Sequence, residues 1–289
     1  MRKRWPGIFA TVAISTAACG GSSATSPAHA SPSRIQVHQG SMTVDGLVRS
    51  YTLVRPLMPH PGQLVPLVVA IHGYTVDSTW MEKTTQFDEL AKSAPFIVVY
   101  PQGLNNSWNA GSCCGDNHNA DVAFIRELLD RLVADDQVNP NRVLVTGMSN
   151  GGMMAHRLAC DLSDRILAIA SVSGALVTAT CNPARPVSVL EVHGTEDSQV
   201  PMQGDESFPS TISFMTGWAK LNGCGRDPTV TKSGITTTSA WSGCREGTRV
   251  LLEVVQGAGH GWFGHEFVSG EPDATKLVWD FFSHLPDRK

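Results

Sequence analysis

Apolar and polar residues follow two kinds of periodicity along the chain after residue 34. Residues 41–54 alternate one by one on either side of Asp45-Gly46, which indicates an antiparallel hairpin. Runs rich in apolar residues are typical of buried strands and lie at 64–71, 96–100, 143–146, 166–172, 187–193 and 248–255. Helical patterns separate them at 85–94, 121–134, 153–160, 211–221 and 273–285. Strands that alternate with helices predict a right-handed parallel α/β sheet with an antiparallel start.

The segment 143–152 carries the most specific chemical signal. A β-branched strand breaks at Gly147, presents Ser149 and continues through Gly151 into a helical pattern. A serine on a sharp strand-to-helix turn is the nucleophile elbow of serine hydrolases, and its flanking glycines avoid collisions between a Cβ and the neighbouring elements. An ordinary βα turn is the alternative interpretation. The strand before the serine and the helix after it favour a catalytic serine.

Polar residues follow four of the predicted strands, at the edge of the sheet where open α/β proteins bind ligands. Acyl transfer needs a serine, a base that accepts its proton and a carboxylate that orients the base. In the α/β-hydrolase order the acid follows the serine and the histidine comes last. Asp197 and His260 satisfy that order after Ser149. The sequence therefore predicts Ser149 as nucleophile, Asp197 as acid and His260 as base.

Other polar residues compete for these roles. Glu196 is the rival acid, next to Asp197, and His265 and His284 are rival bases. His265 lies beyond the turn after the last strand, and His284 lies within a predicted helix. His72 and His193 end strands before a glycine, where a structural hydrogen bond is the favoured interpretation.

The tetrahedral intermediate of acyl transfer needs two backbone N–H donors for its oxyanion. We assign one to Asn150, which follows the nucleophile, and the other to Tyr74, in the loop after the first parallel strand. Trp108 and Trp262 lie in polar loops near the predicted site. Both are candidate walls of the substrate pocket, with ordinary core packing as the alternative.

The N-terminus has the pattern of an export signal. Arg2, Lys3 and Arg4 precede an apolar stretch at 8–18 that is too short to span a bilayer as a stable helix. It ends at Thr16-Ala-Ala-Cys19-Gly20, which resembles a bacterial lipobox, although leucine is preferred where Thr16 stands. We expect a signal peptide at 1–18, a lipid on Cys19, a disordered tether at 19–33 and a catalytic domain at 34–289. Cleavage at Ala28-His-Ala30 with free secretion is the alternative.

Charge and composition narrow the range of partners. Cleavage before Cys19 removes three cations and no acids, so the formal charge goes from −4 to −7. An acidic surface without clustered cations argues against nucleic acid as a partner. A second long apolar run is absent from the sequence, so attachment to a membrane depends on the lipid alone. We expect a monomer that binds a small, oligomeric or polysaccharide ester.

With Cys19 assigned to the lipid, six of the seven cysteines remain, and an even number in an exported chain predicts up to three disulfides. Cys224 and Cys244 flank a Thr- and Ser-rich excursion, so we expect them to pair. A bond from Cys113 or Cys114 to Cys160 or Cys181 is our working expectation, since spacing alone does not fix the connectivity. Neither a CxxC nor a His-x-His motif supports a metal site.

Several motifs together resemble the polyhydroxybutyrate depolymerase and feruloyl esterase family, and within it the actinobacterial LpqC-type esterase lipoproteins. They are Ile71-His-Gly-Tyr74, Val99-Tyr-Pro-Gln-Gly103, Trp108-Asn-x-Gly-x-Cys-Cys-Gly115, Asp121-Val-x-Phe124, Gly147-Met-Ser-Asn-Gly-Gly-Met-Met154, His193-Gly-Thr-x-Asp197 and Gly259-His-x-Trp262. The resemblance covers nearly all of the chain after residue 34. Phe263 departs from the family pattern, which often has proline there, and Asn119-Ala-Asp121 replaces a more acidic Val-Asp-Asp.

The resemblance implies an α/β-hydrolase fold, with a mostly parallel central sheet of about eight strands and helices on both faces. It also implies a serine carboxylesterase that needs no cofactor, with its triad on Ser149, Asp197 and His260. Feruloyl, hydroxybutyrate and short acyl esters are all open as substrates. Acyl transfer to cell-envelope acceptors and a non-catalytic binding lipoprotein are the alternative functions, because a fold alone does not fix function.

Overall fold

The computed structural model describes residues 35–57, 62–115, 120–265 and 268–287. Our predictions of a signal peptide, of a lipid on Cys19 and of a tether at 19–33 lie outside these residues. Among the described residues no helix is both long and apolar enough to cross a membrane.

A single sheet of ten strands runs through the centre of the fold, in the order β1-β2-β4-β3-β5-β6-β7-β10-β9-β8. The strands are β1 (Ile35–Val44), β2 (Leu47–Pro56), β3 (Val65–Ile71), β4 (Ile97–Pro101), β5 (Val138–Met148), β6 (Ala168–Val172), β7 (Ser188–Gly194), β8 (Thr229–Ser233), β9 (Thr236–Trp241) and β10 (Val250–Val255). The strands from β4 to β10 in that spatial order pair in parallel, whereas β1, β2, β8 and β9 pair antiparallel. This is the expected parallel sheet with an antiparallel start.

Helices cover both faces of the sheet. They are α1 (Ser78–Thr85), α2 (Phe87–Ala91), α3 (Asp121–Asp135), α4 (Asn150–Asp161), α5 (Thr211–Leu221) and α6 (Ala274–Ser283). One buried apolar cluster joins α3, α4 and α5 to one face, and a second joins α1, α2 and α6 to the other. Because both faces are covered, the parallel strands are mostly apolar, as in the sequence.

The sheet is larger than the sequence pattern predicts. We expected about eight strands, and β8 and β9 are the two that the pattern did not reveal. All residues of β8 are exposed, and β9 is only half-buried over most of its length. A strand without a buried face has no apolar alternation, so its Thr-rich sequence resembles a loop. The helix α1 was also missed, because its pattern has few apolar residues.

Three disulfides lie within the described residues. Cys224 bonds to Cys244 and brackets the hairpin of β8 and β9, as the sequence predicts. Cys160 bonds to Cys181, and Cys113 bonds to its neighbour Cys114. The expected bond between these two pairs is therefore wrong. Cys160 lies ten residues into α4, about 15 Å from the helix start near which Cys113 and Cys114 lie.

A buried ion pair fastens the loop 107–115 to the body of the fold. Arg49 of β2 donates to Asp121 at the start of α3 at 2.6 Å, and both side chains are almost completely buried. The second carboxylate oxygen of Asp121 accepts from the backbone N–H of Asn109 at 2.7 Å. The guanidinium also lies 4.1 Å from the ring centroid of Phe124. Asp121 therefore connects β2, α3 and the loop that carries Cys113 and Cys114.

Substitution of this carboxylate should cost much stability. Asp121→Asn leaves the guanidinium of Arg49 buried without a counter-charge, so we expect the free energy of unfolding to fall by about 3 kcal/mol. Urea denaturation of the wild type and the variant measures the difference. Asp135→Asn on the same helix is the control, because Asp135 is exposed and 3.9 Å from Arg131, and its effect should stay within about 0.5 kcal/mol. Equal effects of the two substitutions would contradict the assigned role of Asp121.

Candidate active site

Ser149 lies between β5 and α4 in a strained backbone conformation. Its φ is 56° and its ψ is −122°, values that a residue with a side chain rarely adopts. A Cβ at Gly147 would collide with the backbone of Gly151, and a Cβ at Gly151 would collide with the carbonyl of Ile71. Only glycine fits at either position, so the sharp turn predicted from the sequence is present. It presents Ser149 at the carboxyl end of the sheet.

The helix α4 begins at Asn150, so its first N–H groups have no acceptor within the helix. Asn150 is fully buried, and its side chain has a second role that the sequence did not reveal. Its Oδ1 accepts from the N–H of Trp108 at 2.8 Å, while its Nδ2 donates to the carbonyls of Trp108 and Cys113 at 3.0 and 3.3 Å. Asn150 thus holds the loop of the adjacent cysteines beside the serine.

The loop with Tyr74, the second predicted oxyanion donor, is held by His72. Nε2 of His72 accepts from the N–H of Gly103 at 2.9 Å, so Nδ1 carries the proton that it donates to the carbonyl of Gly73 at 2.7 Å. Burial lowers the pKa of His72, which keeps this imidazole neutral. The structural role expected for His72 is therefore confirmed. Tyr74 itself lies at the edge of the cavity that Ser149 lines.

Asp197 and His260 are in direct contact across the ends of β7 and β10. His260 Nδ1 lies 2.8 Å from Asp197 Oδ2, and Asp197 Oδ1 accepts from the N–H groups of Gln199 and Val200. Burial would raise the pKa of Asp197, but the hydrogen bonds from His260 and Val200 outweigh it and keep the pKa below its usual value. An ionised Asp197 places the imidazole proton of His260 on Nδ1. The other nitrogen, Nε2, is then free to accept a proton.

The rival residues lie elsewhere. Glu196 is exposed, although it is adjacent to Asp197. His265 is exposed and contacts the carbonyl of Thr84 at 3.0 Å, and His284 is exposed on the end of α6. None of the three contacts the pair of Asp197 and His260 in the hydrogen bonds of the described residues.

A cavity of about 440 Å³ brings Ser149 and His260 together. Its described lining includes no Asp, Glu, Lys or Arg, and several of the side chains are aromatic or contain sulfur. The lining consists of Gly73, Tyr74, Thr75, Val76, Trp80, Cys113, Cys114, Met148, Ser149, Met153, Gln199, Val200, Phe208 and His260. A neutral cavity of this composition suits an uncharged ligand with an apolar or aromatic group.

Neither tryptophan proposed as a pocket wall lines this cavity. Trp108 is fully buried, donates from Nε1 to the carbonyl of His72 at 3.0 Å and packs against that imidazole. Trp262 is almost completely buried, donates to Thr275 at 3.0 Å and packs edge-on against Phe87. Both indole N–H groups find their partners inside the protein, so ordinary packing is the correct interpretation.

The aromatic residues that line the cavity in place of these tryptophans are Trp80 and Phe208, and the sequence did not predict either of them. Trp80 follows the strand β3 within a polar segment, and Phe208 precedes α5 in an irregular one. Neither belongs to a periodic pattern, so the sequence contained no signal for them. Cys113 and Cys114 belong to the motif Trp108-Asn-x-Gly-x-Cys-Cys-Gly115, but the sequence did not predict their position on the cavity wall.

Comparisons with known proteins agree with this geometry. The family described as Phospholipase/Carboxylesterase matches residues 116–217. Feruloyl esterase B of Piromyces equi is 30% identical over 75% of this chain. A protein of Nocardia uniformis subsp. tsuyamanensis, provisionally named an esterase, is 27% identical over 91% of each chain. The chain spans only 41% of the length of feruloyl esterase B.

Solved structures share the fold at low sequence identity. An acetyl xylan esterase from Aspergillus awamori superimposes with a TM-score of 0.63 at 14% identity, covering 86% of this chain and 99% of its own. That likeness concerns the fold alone. Together with the sequence relatives and the elbow at Ser149, it leads to one assignment. The chain belongs to the α/β-hydrolases, in their feruloyl esterase-like family.

Proposed function

We propose that the protein is a serine carboxylesterase that cleaves its substrate through an acyl-enzyme. The observation that carries the proposal is the meeting of two features at one cavity: Ser149 on its elbow and His260 paired with Asp197. A protein that only binds esters has no use for a strained serine beside an oriented imidazole. The relatives named as esterases support the same reaction class.

The proposed reaction begins with attack of Ser149 Oγ on the ester carbonyl. His260 Nε2 accepts the serine proton and then donates it to the departing alcohol. Asp197 holds the proton of the imidazole on Nδ1 and stabilises the imidazolium that forms. In the second half of the reaction Nε2 accepts a proton from a water molecule, which attacks the carbonyl of the acyl-enzyme. The bond between the acyl group and Ser149 Oγ then breaks, Nε2 donates the proton to Oγ, and the carboxylic acid leaves.

The negative charge of each tetrahedral intermediate falls on the former carbonyl oxygen. We assign its donors to the backbone N–H groups of Asn150 and Tyr74, and the positive end of the α4 dipole adds to their effect. One such donor is worth about 3 kcal/mol of transition-state stabilisation. Asn150 also holds the wall of the cavity through its side chain, so a substitution there changes more than the oxyanion site.

Hydroxycinnamoyl esters of the feruloyl type are the proposed substrate class. Trp80 and Phe208 offer aromatic surfaces, and Met148 and Met153 offer polarisable sulfur atoms, which pack well against aromatic rings. The neutral lining matches an uncharged ester. Several relatives carry the name feruloyl esterase, among them one from Neurospora crassa that is 28% identical.

We further propose that the protein acts outside the cytoplasm, held to the cell membrane by a lipid on Cys19 or secreted. Three disulfides within the described residues support export, since such bonds persist in oxidising compartments. Metabolic labelling with a palmitate analogue, compared between the wild type and Cys19→Ala, tests the lipid. Equal labelling of the two proteins would refute it.

Removal of the nucleophile should abolish both turnover and covalent labelling. Ser149→Ala should lower kcat on p-nitrophenyl acetate and methyl ferulate by at least about 10⁴-fold, since the remaining groups cannot form an acyl-enzyme. A fluorophosphonate probe should label the wild type but not the variant. Ser283→Ala, at an exposed site on α6, is the control and should keep both properties. A folded Ser149→Ala protein that keeps its activity would refute the assignment.

Substitutions of Asp197 and of its neighbour Glu196 should have very different effects on kcat. Asp197→Asn should lower kcat by about 10⁴-fold, because the amide no longer stabilises the imidazolium of His260 or fixes the proton on Nδ1. Glu196→Gln should leave kcat within about twofold, because this side chain is exposed and outside the pair. Steady-state kinetics on both variants, with thermal melts to confirm folding, measure the effect. A larger loss in Glu196→Gln would exchange the two assignments.

The aromatic wall should select for aromatic acyl groups. Phe208→Ala should raise KM for methyl ferulate by about 5- to 10-fold through lost ring contact, and change the kinetics on methyl acetate by less than twofold. Ile212→Ala, at an exposed apolar position on α5, is the control and should change neither. Equal effects of Phe208→Ala on the two esters would argue against Phe208 as a contact for the acyl group.

A further inference from the structure

A chain of buried polar side chains lies behind Asp197. Glu191 is in the middle of β7, and His156 and His193 contact it from α4 and from the end of its own strand. All three side chains are completely shielded from solvent. A carboxyl group at the centre of an apolar sheet is expensive to bury, and the reaction described above does not use it.

The protonation of His156 follows from its partners. Trp218 Nε1, which can only donate, lies 3.0 Å from His156 Nδ1, so Nδ1 is the acceptor. The proton of the imidazole is therefore on Nε2, which lies 3.2 Å from Glu191 Oε2 and donates to it. His156 is a neutral donor to the carboxyl group.

His193 differs, because both of its nitrogens face acceptors. Nε2 lies 2.8 Å from the carbonyl of Val200, which can only accept, so Nε2 carries a proton. Nδ1 lies 3.0 Å from Glu191 Oε1. Two charge distributions fit these distances: an imidazolium with a carboxylate, or a neutral imidazole with a carboxylic acid.

The other donors to Glu191 favour the charged distribution. The N–H of Gly174 lies 3.2 Å from Oε1, and His156 donates to Oε2, so the carboxyl group receives two hydrogen bonds besides that of His193. Burial would raise the pKa of Glu191 and lower that of His193. The hydrogen bonds reverse both effects, so the pKa of Glu191 is lowered and that of His193 is raised.

The imidazole of His193, the positive member of this pair, lies next to Asp197, the proposed catalytic acid. His193 Nε2 lies 3.5 Å from Asp197 Oδ2, the same oxygen that accepts from His260 Nδ1 at 2.8 Å. Asp197 therefore lies between two imidazoles. The titratable groups that contact the pair in the described residues are His156 from α4 and Asp197 from the loop after β7, with His260 behind Asp197.

We propose that Glu191 and His193 form a buried ion pair that positions Asp197 and, through it, sets the pH at which His260 can act as a base. The backbone of Val200 contacts both residues: its carbonyl accepts from His193, and its N–H donates to Asp197. The positive charge near Asp197 partly offsets its negative charge as felt by His260. Only the effect on turnover rests on the proposed esterase function; the charge state of the pair does not.

The direction of the effect follows from the geometry. The cation of the pair is closer to Asp197 than its anion is, so the pair makes the potential at His260 more positive. Removal of both charges makes that potential more negative and favours the protonated imidazole. In a plot of kcat/KM against pH, the acid limb should then move to higher pH. A purely structural pair of neutral groups would leave the limb in place.

Nuclear magnetic resonance of the wild type tests the charge state directly. In protein labelled with ¹⁵N-histidine, both ring nitrogens of His193 should carry protons at about pH 8, above the ordinary titration range of histidine near 6.5. The variant His193→Gln assigns the signals. A ring with a single protonated nitrogen at that pH would overturn the ion pair, whether or not the protein hydrolyses esters.

Glu191→Gln removes the negative charge and keeps most of the hydrogen bonds. The amide can accept from His156 and donate to His193 Nδ1, at the expense of the bond from Gly174. We expect the acid limb of kcat/KM, and the midpoint of the His260 ring titration by NMR, to rise by about half a unit to one unit of pH. Glu253→Gln, on the adjacent strand β10 and bonded to Thr238, is the matched control and should move neither.

The outcomes are distinguishable. A folded Glu191→Gln protein with an unshifted limb and an unshifted ring titration would refute the proposal, even if its stability falls. If that variant does not fold, the protonation of His193 in the wild type still decides. If the wild type lacks esterase activity, the proposed function fails. The ring titration of His260, compared between the wild type and Glu191→Gln, still tests whether the charges of the pair act on His260.

Discussion

The close approach of α4 to the central strands is the constraint on which the site depends. At Gly147 and Gly151 a Cβ would meet backbone atoms, which cannot move aside as a flexible side chain can. The contact draws the start of the helix against the end of β3 and forces Ser149 into its positive φ. The strain is therefore a consequence of packing. It is sustained by the buried strands on either side, which are too well packed to relax.

The register of the parallel strands positions the acid and the base, as the glycines position the serine. Ile71 pairs with Gly147, and Val255 pairs with Gly194, so successive strands end at one level. The loops that follow must then emerge side by side, although Ser149, Asp197 and His260 are far apart in sequence. The regular geometry of the sheet therefore brings these groups to one edge, with no need for a long-range interaction between the loops themselves.

The features that the sequence revealed are those governed by periodicity or by glycine. Buried strands are apolar throughout, so β3 to β7 and β10 were located, and the elbow was recognised because only glycine fits beside Ser149. The hairpin of β8 and β9 was missed because it has no buried face. The cavity wall was missed for a different reason. Trp80 reaches it from α1, whose sequence has few apolar residues, and Phe208 reaches it from an irregular segment. Trp108 and Trp262 are instead bonded inside the protein, and no local pattern distinguishes these cases.

The buried pair of Glu191 and His193 belongs to neither category. A buried ion pair seldom stabilises a protein more than apolar side chains of similar size would, because the desolvation of both charges offsets their attraction. The pair instead selects one arrangement of the elements around it. Its donors come from α4, from the turn after β6 at Gly174 and from the end of β7, so the carboxyl group is satisfied only when these elements adopt one arrangement. Ser149 directly precedes α4, and Asp197 lies in the loop after β7. A single buried carboxylate therefore relates the position of the nucleophile to the position and charge of the acid.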